Sequence, residues 1–277
     1  MRDNALRVTG MVEALRSREL LVNRLEVRRS RPELADAHCH IESLSSETLR
    51  ESIDYGVKVI VANGVDLASN IKTLAVSDGI NVFAAVGVHP EYAGAISDAE
   101  LEKNMQLARD NRGSIVAIGE IGIDKKFATD GRMLERQKLV FERLVDLAIE
   151  LGLPVCIHTR NALVEALDIL EQKGAKMVQL HFFEGDAEQA RRAAGLGYMV
   201  SIPPMESSKR KRAIKAVPMQ NLLAETDSPV NNAVPKDVEK SIAIIANVKG
   251  IGFDEAATAL MQNTRRFFNI RMSNLMR

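Results

Sequence analysis

The sequence predicts an α/β protein of the (β/α)8, or TIM, barrel class. Short runs rich in β-branched residues alternate with helical stretches at intervals of about 20–40 residues, as an α/β domain requires. Most of these runs are apolar without interruption, which is typical of parallel strands that are buried on both faces. All five histidines of the chain stand at the carboxyl end of such a run, and none stands in a predicted helix.

Eight candidate strands follow the first 33 residues. They cover residues 34–38, 57–62, 81–87, 115–120, 154–158, 176–181, 197–202 and 221–225. Eight strands with helices between them in a segment of about 240 residues match the size of the barrel fold.

Amphipathic stretches lie between the candidate strands. The clearest predicted helix covers residues 131–151, and Gly152 and Pro154 end it. The last two predicted helices cover residues 236–249 and 254–268. The sequence contains no Pro/Gly/Ser-rich linker, so we expect residues 34–277 to form a single barrel domain.

Residues 1–33 differ from the rest of the chain. They contain eight arginines and a partial helical periodicity of apolar residues. We expect a basic N-terminal extension that is helical. One interpretation is an arm that contacts nucleic acid or another subunit. The alternative is a solvated helix against the outside of the barrel, or a frayed end.

The composition limits where the protein works and what it contacts. Basic and acidic residues are equal at 37 each, which argues against sequence-independent coating of nucleic acid but leaves a local basic groove open. No apolar run approaches the ~20 residues of a membrane span, and the first residues do not resemble a secretory signal. With only two cysteines, Cys39 and Cys156, we expect no disulfide framework and a reducing, cytoplasmic location.

Polar side chains collect at the carboxyl ends of the predicted strands, where the active sites of such barrels lie. A lone buried histidine is usually a core residue, and a lone glutamate at a strand end is often a helix cap. Several imidazoles and carboxylates around one barrel mouth are different, because they are costly to desolvate without a shared partner. One or two divalent cations are such a partner. The candidate ligands are His38, His40, Glu120, His158, His181 and Asp227.

Strand alternation gives the first strand a further prediction. His38 and His40 are two residues apart and are expected to project to the same side. Cys39 is expected to point the other way and to pack in the core. Asp36 is expected on the same side as His38, one layer deeper, as a candidate partner of that histidine. Cys156 is expected to be a core residue below His158.

Six segments resemble, in order and spacing, the TatD family of metal-dependent hydrolases, within the amidohydrolase-like barrels. The resemblance covers about residues 34–270. Asn263 with Phe267 and Phe268 is similar to the closing helix of the family. The segments are DAHCH at 36–40, GVHP at 87–90, AIGEIGID at 117–124, PVCIHTRNA at 154–162, LHFFEG at 180–185 and ETDSP at 225–229.

The resemblance implies a two-metal phosphodiesterase, typically a deoxyribonuclease, whose cofactors are two divalent ions such as Mg, Mn or Zn. It implies that His38 and His40 bind one ion and that Glu120 bridges the two. It also implies that His158 and His181 complete the second site. DNA ends or short nucleic acids are the implied substrates, and no feature indicates a membrane or an obligate protein partner.

Three further residues have expected roles in the reaction. Asp227 is implied to bind metal and to orient the attacking water, which makes it a catalytic residue together with Glu120. We expect His89 to contact the substrate phosphate or the leaving oxygen, and the alternative is a hydrogen-bonded histidine of the turn. Arg160 is expected to grip a phosphate through its planar guanidinium, and the alternative is a surface ion pair.

The chain departs from the usual family sequence beside the implied ligands, where substrate would be held. The departing residues are Lys125 and Lys126, Asn161, Phe182, Pro203 and Pro204, and Val230, Asn231 and Asn232. Two basic runs, at 125–126 and 209–212, follow strand ends and favour an anionic substrate, although such runs are often solvated helix faces. Tryptophan is absent and aromatic residues are few, so we expect a short grip on an end and no long stacking platform.

Two other functions compete with the nuclease interpretation. The same metal site suits an amidohydrolase that cleaves an amide or ester, for instance an aminoacyl-tRNA deacylase. A barrel with a purely structural metal, or a binding scaffold, is the third possibility. A structural site is normally closed by protein ligands, which argues against the third.

Overall fold

The structure is a computed structural model that describes residues 31–271. In this part of the chain, eight parallel strands form one sheet in which each strand pairs with the next along the sequence. The backbone amide of Asp227 donates to the carbonyl of His38 at 3.0 Å, and that of His40 donates to the carbonyl of Ser228 at 2.7 Å. These bonds join the last strand to the first, so the sheet curls into a barrel. The strands are β1 Leu34–Cys39, β2 Val57–Asn63, β3 Val82–Val86, β4 Ile115–Asp124, β5 Val155–Arg160, β6 Val178–Leu180, β7 Met199–Ile202 and β8 Leu222–Ala224.

Ten α-helices alternate with the strands or follow them within residues 31–271. Side-chain caps fix where several begin: Asp66 and Ser97, for example, each form a capping box at the first turn of the following helix. The helices are α1 Ser46–Tyr55, α2 Leu67–Val76, α3 Pro90–Ala93, α4 Asp98–Asp110, α5 Gly131–Leu151, α6 Leu163–Lys173, α7 Ala187–Gly195, α8 Ser208–Ala216, α9 Val238–Lys249 and α10 Phe253–Phe267.

Two apolar layers hold the barrel together. The outer layer packs strand residues such as Ile60 and Ile157 against the helices, and both are fully buried. The inner layer is built from alternate residues of the strands, including Val61 and Ala117, and fills the barrel. Small residues such as Ala85 alternate there with large ones such as Phe83 and Leu223, so the barrel interior is packed and the polar residues lie above it at the strand ends.

Two β-bulges change which residues face the mouth. Between β1 and β2, Asp36 pairs with Ile60 and Cys39 pairs with Ala62. An advance of three residues along β1 therefore corresponds to an advance of two residues along β2. Between β4 and β5, Ile118 pairs with Val155 and Ile121 with Ile157, with the same mismatch. A bulge re-aims a side chain that strict alternation would send to the other face. His38 and Glu120 lie inside these two irregular stretches.

The predicted barrel class is confirmed, and the helix predicted at residues 131–151 has the observed bounds of α5. The main difference is at β4, which continues past the predicted end at residue 120 to Asp124, with β5 extending beside it to Arg160. The predicted helical extension lies almost entirely outside the described residues, so the division at residue 33 stays a prediction. No helix in residues 31–271 is long and apolar enough to cross a membrane. The cytoplasmic location also stays a prediction.

The predicted orientation of Asp36 is wrong, because the bulge on β1 puts Asp36 on the face of Cys39 and opposite to His38. The Asp36 carboxylate accepts hydrogen bonds from the backbone amide of Thr226 at 2.8 Å and from its hydroxyl at 2.5 Å. Asp36 therefore fixes the backbone of Thr226, the residue before Asp227. It can influence the position of Asp227 in this way although its own side chain does not face the barrel mouth. Cys39 and Cys156 are both fully buried, as predicted.

Candidate metal centre

The carboxyl ends of the strands bring the predicted ligands into one cluster. All six lie within a few ångströms of one another, and His89 joins them from the turn after β3. Two further carboxylates, Asp124 and Glu225, lie directly behind the histidines. The inner cluster consists of His38, His40, Glu120, His158, His181 and Asp227.

Glu120 is at the centre of the cluster, and its Oε2 faces the first group of donors. Oε2 lies 3.3 Å from Nε2 of His38 and 3.3 Å from Nε2 of His40. The Oδ1 atom of Asp227 lies 3.4 Å from Nε2 of His40 and 3.8 Å from Nε2 of His38. Donors about 2.1 Å from a shared ion stand about 3–4 Å from one another. These four atoms therefore have the spacing of ligands to one ion.

The other oxygen of Glu120, Oε1, faces a second group of donors. It lies 2.7 Å from Nδ1 of His158 and 3.6 Å from Nε2 of His181. Nε2 of His181 also lies 3.7 Å from Oδ1 of Asp227. One buried carboxylate thus separates two imidazole nitrogens at Oε2 from three at Oε1, where Nε2 of His89 is the third at 3.5 Å.

The outward ring nitrogens of His40 and His158 have hydrogen-bond acceptors. Nδ1 of His40 donates to the backbone carbonyl of Asn63 at 2.8 Å. Nε2 of His158 lies 2.8 Å from Oδ2 of Asp124, which is fully buried. In the neutral ring the proton on the outward nitrogen leaves a lone pair on the inward one, which is the form a cation requires.

Glu225 lies behind His181 at ion-pair distance. Its Oε1 is 3.1 Å from Nδ1 of His181, which makes no hydrogen bond within the described residues, and it accepts the backbone amide of Phe182 at 2.6 Å. Its Oε2 accepts the hydroxyl of Ser201 at 2.5 Å. Two hydrogen bonds therefore hold the buried carboxylate, and its charge faces the ring of His181.

His89 differs from the other four histidines in the direction of its hydrogen bonds. Its Nδ1 accepts the backbone amide of Glu91 at 3.1 Å and so caps the short helix α3. The proton of the neutral ring is then on Nε2, which lies 3.5 Å from Oε1 of Glu120. Burial lowers the pKa of His89 to about 4, so the ring is neutral at pH 7. Its inward nitrogen is a hydrogen-bond donor, which suits an oxygen of a ligand better than a cation.

Arg160 lies at the wall of the same cavity, with a 40% exposed side chain. Its Nε is 3.7 Å from Oδ2 of Asp124, the carboxylate that also contacts His158. This single contact leaves the two terminal nitrogens of the guanidinium without an acceptor among residues 31–271. They are available to an anion in the cavity.

The two basic runs supply less free positive charge than their sequence indicates. Lys125 forms an ion pair with Glu165 at 2.6 Å, and Lys211 forms one with Glu206 at 2.6 Å. Arg210 is buried, and its guanidinium donates to the backbone carbonyl of Met205 at 2.5 Å. The case for an anionic substrate therefore rests on the donor cluster and Arg160 more than on these runs.

Neighbouring charges oppose the effect of burial on the pKa values of the cluster. Burial would raise the pKa of Glu120, but His89 and His181, which are both charged at the acid pH where this carboxyl would titrate, hold it well below its ordinary value together with hydrogen bonds from His158 and His38. Burial would lower the pKa of His181, but the carboxylates around it, Glu225 first, raise it to about 9. The pKa of Asp227 is also lowered, mainly by His181 and His40, so Glu120 and Asp227 are both ionised at pH 7.

Glycine at position 87 lets β4 approach β3 where the bulge carries Glu120. A Cβ on Gly87 would lie 2.6 Å from the carbonyl oxygen of Glu120 and 2.7 Å from the carbonyl carbon of Gly119. Asn70 fixes the same turn, because its side chain donates to the carbonyl of Gly87 and accepts from its amide. The position of the central carboxylate therefore depends on a residue without a side chain.

A cavity of about 370 Å³ opens above the cluster. Phe127 lies at one side of it, with its ring centroid 5.9 Å from that of His89. Phe182 lies next to His181, with ring centroids 5.7 Å apart. We call this the metal cavity, and its lining includes His40, His89, Glu120, Phe127, His158, Arg160, His181, Phe182, Asp227 and Val230.

The two carboxylates behind the histidines are not among the ligands predicted from the sequence. Asp124 lies four residues beyond the predicted end of its strand, and Glu225 is the last residue of its predicted strand. A signal for both exists in the sequence, since each is an acidic residue that directly follows apolar residues at a strand end.

Known proteins resemble this chain along most of its length. The family described as TatD related DNase matches residues 35–269. The chain belongs to the TatD family. It is 30% identical over 249 residues to an uncharacterized metal-dependent hydrolase of Methanocaldococcus jannaschii, which covers 86% of this chain and 97% of the relative.

Two other relatives of this TatD protein are similar along nearly their whole length. Deoxyribonuclease TATDN3 of Homo sapiens is 30% identical over 259 residues, covering 85% of this chain and 94% of that protein. The crystal structure of the TatD homolog YjjV from Escherichia coli has a TM-score of 0.78 at 27% identity, covering 86% of this chain and 98% of that one. The protein is therefore a metal-dependent hydrolase with the barrel of this family.

Proposed function

We propose that this TatD protein is a two-metal phosphodiesterase that hydrolyses DNA at ends or in short nucleic acids. The observation that carries the proposal is the position of Glu120. One oxygen of its carboxylate faces the nitrogens of His38 and His40, and the other faces those of His158 and His181. Glu120 would hold one cation with each oxygen, and two cations held side by side would supply the charge that clamps a phosphodiester.

The residues fit two cations. Both ring nitrogens of His38 are buried and have no hydrogen-bond partner among the described residues. A buried polar atom without a partner costs free energy, and Nε2 points at Glu120 and Asp227, where a cation would satisfy it. The carboxylates also need positive charge, which two divalent ions would supply.

The donor set favours some ions over others. Four imidazoles suit Zn or other borderline ions, whereas Mg prefers oxygen ligands and retains several waters. The two carboxylates and a phosphate substrate are compatible with Mn. We therefore propose Zn or Mn as the resident ions, with Mg as the weaker candidate.

Asp227 is placed to handle the proton of the attacking water. Both Asp227 and Glu120 line the metal cavity, but the side chain of Asp227 is 11% exposed and that of Glu120 only 2%. The two cations, when bound, supply Lewis acidity that stabilises the negative charge developing on the phosphate. Asp227 would accept the proton of the attacking water as the new P–O bond forms and the P–O bond to the leaving oxygen breaks, because it is the more exposed carboxylate of the cluster.

His89 and Arg160 are placed to hold the substrate. Nε2–H of His89 projects into the metal cavity as a neutral donor and can bond a phosphate oxygen or the leaving oxygen. Arg160 offers a planar fork that matches two phosphate oxygens. DNA is proposed because of this phosphate-holding geometry and because the human relative is named a deoxyribonuclease.

The test is a matrix of metals and substrates. Chelator-stripped protein is reloaded with Mg, Mn or Zn and assayed on single-stranded DNA, duplex DNA, RNA and aminoacylated tRNA. We expect cleavage of DNA with Mn or Zn, and metal analysis that gives two ions per chain. Release of amino acid from tRNA without cleavage of any phosphodiester would contradict the proposal and support the deacylase instead.

Two substitutions test the assigned roles. Glu120→Gln is expected to lower the metal content and the rate by about 10³-fold, because a neutral amide cannot bridge two cations. Asp227→Asn is expected to lower the rate about 10²–10⁴-fold, which is the range for loss of a general base. The exposed change Glu51→Gln on α1 is the control, and we expect it to alter neither quantity.

A further inference from the structure

A second, smaller cavity lies beside the metal cavity. Its volume is about 150 Å³, and we call it the side cavity. Phe182 and Val230 line both cavities, so these two side chains form the wall between them. A ligand that occupies both would pass this wall. The side cavity is lined by Phe182, Pro204, Met205, Thr226, Val230, Asn231, Asn232, Ala233, Asp237 and Lys240.

Apolar side chains at the side cavity are exposed. Val230 is 43% exposed and Met205 is 36% exposed. Phe182 contributes an aromatic ring, and the guanidinium of Arg210 lies 5.6 Å from the centroid of that ring. Arg210 also holds the carbonyl of Met205. Phe182 and Met205 are thus fixed by one buried side chain, and together they present an apolar surface suited to the face of a ring.

One edge of the side cavity is polar. Asn231 and Asn232 both have left-handed backbone conformations, with φ of 56° and 59°. The Asn231 amide contacts only the sulfur of Met205, at 3.5 Å, and the Asn232 side chain makes no hydrogen bond within residues 31–271. Each carboxamide offers a donor and an acceptor. Two such groups can form hydrogen bonds with the edge of a heterocycle that carries both donors and acceptors.

We propose that the side cavity binds an unpaired nucleobase of the substrate, next to the phosphate held in the metal cavity. This inference rests on the proposed phosphodiesterase function. The volume of about 150 Å³ matches a single six-membered aromatic ring. A base that enters this cavity leaves its pairing partner, so we expect the substrate to be a frayed end or a single strand.

The residues that build the side cavity are separate from the candidate metal ligands. None of His38, His40, Glu120, His158, His181 and Asp227 lines it. A change confined to one cavity alters which base or end is preferred and leaves the hydrolysis itself intact. The side cavity is thus a specificity site.

The experiment compares trinucleotides that carry or lack a terminal base. One substrate is an intact DNA trinucleotide, and two others have an abasic residue at the 5′ or the 3′ end. Methyl p-nitrophenyl phosphate, which has no base, reports on phosphodiester hydrolysis alone. We expect loss of one terminal base to raise KM about tenfold or more, because stacking and hydrogen bonding of that base are lost.

Two variants assign the preference to the side cavity. The double change Asn231→Gly with Asn232→Gly removes both carboxamides, and glycine retains the left-handed conformation without strain. Ala233→Phe fills the cavity instead. Both variants should shrink the ratio of KM values for the abasic and intact substrates toward one, with the rate on methyl p-nitrophenyl phosphate unchanged. Asn269→Gly is the matched control, since Asn269 is an exposed asparagine with φ of 53° at the far end of α10.

The outcomes separate the two proposals. Equal KM values for the intact and both abasic trinucleotides would overturn the inference while leaving the phosphodiesterase in place. A base preference that persists in both variants would also overturn it, because the base would then bind elsewhere. Failure to hydrolyse methyl p-nitrophenyl phosphate or any oligonucleotide with each metal would overturn the proposed function, and the inference with it.

Discussion

His158 and Asp124 form a buried pair in which Nε2 of the imidazole lies 2.8 Å from Oδ2 of the carboxylate. The opposite nitrogen of the same ring lies 2.7 Å from Oε1 of Glu120. The ring is therefore held between two carboxylates, and hydrogen bonds to both raise the pKa of His158 against the effect of burial. When a cation occupies the side of Glu120, Asp124 is the acceptor that would keep the proton on Nε2. Such partners behind a metal ligand tune affinity without touching the ion.

Replacing Asp124 by asparagine is the first prediction. The amide can donate as well as accept, so it no longer enforces a lone pair on Nδ1 of His158. We expect metal affinity or the rate at fixed metal to fall about 10–100-fold with the fold retained. Competition with a chromogenic chelator measures the affinity. Asp110→Asn, on the exposed end of α4, is the control, and an equal loss in both variants would contradict the assigned role.

Metal removal is expected to lower the thermal stability while the protein stays folded. Ions that bind only the folded state stabilise it by about 2.7 kcal/mol at a hundredfold excess over Kd. In a domain of this size that corresponds to an increase in Tm of about 5–10 °C. Calorimetry with and without chelator measures the shift. The shift should grow with metal concentration in the wild type and be much smaller in Glu120→Gln. A shift of equal size in that variant would place the ions elsewhere.

The acid sensitivity of the metal-free protein should include a contribution from His89. Its pKa in the fold is about 4, against 6.5 as the ordinary value. The unfolded chain thus binds more protons between these values, so the free energy of unfolding falls as pH drops from 6.5 to 4. We expect the wild type to lose about 3 kcal/mol relative to His89→Gln over this range.

Urea unfolding of metal-free wild type and His89→Gln at pH 6.5 and 4.5 measures this contribution. The comparison between the two proteins at each pH cancels the titration of the other histidines and of the carboxylates. A difference in stability that does not change with pH would show that His89 titrates normally.

Substitution of Gly87 by alanine should displace the central carboxylate. The new Cβ would lie less than 3 Å from three backbone atoms of Gly119 and Glu120, which cannot move as a flexible side chain can. We expect a loss of about 1–3 kcal/mol in stability, as for overpacking, and a rate about 10²-fold lower from misplacement of Glu120. Denaturant unfolding and steady-state kinetics measure the two effects.

Gly113 offers the control for this substitution. A Cβ there meets nothing within 4 Å, and Gly113→Ala is expected to change stability by no more than about 0.5 kcal/mol. Wild-type kinetics in Gly87→Ala would mean that the β4 bulge tolerates the added methyl group, and that Glu120 does not depend on this close approach.

The order of the elements and the residues at the strand ends could be read from the sequence. Apolar runs predicted all eight strands at or near their observed positions, because parallel strands buried on both faces must be apolar along their length. The convergence of the histidines followed from the barrel itself, since the carboxyl ends of all its strands meet at one mouth. Chain order therefore determined which residues meet.

The tertiary structure alone decided how the side chains of the site are oriented relative to one another. Strict alternation sends Asp36 and His38 to the same side, and the bulge on β1 separates them. The bulge on β4 likewise turns Glu120 inward and carries the strand on to Asp124. A bulge is fixed by pairing with the neighbouring strand and by close packing at residues such as Gly87, which no local pattern records. The sequence by itself thus determined the members of the site, whereas inter-strand register decided their orientation and the carboxylates behind them.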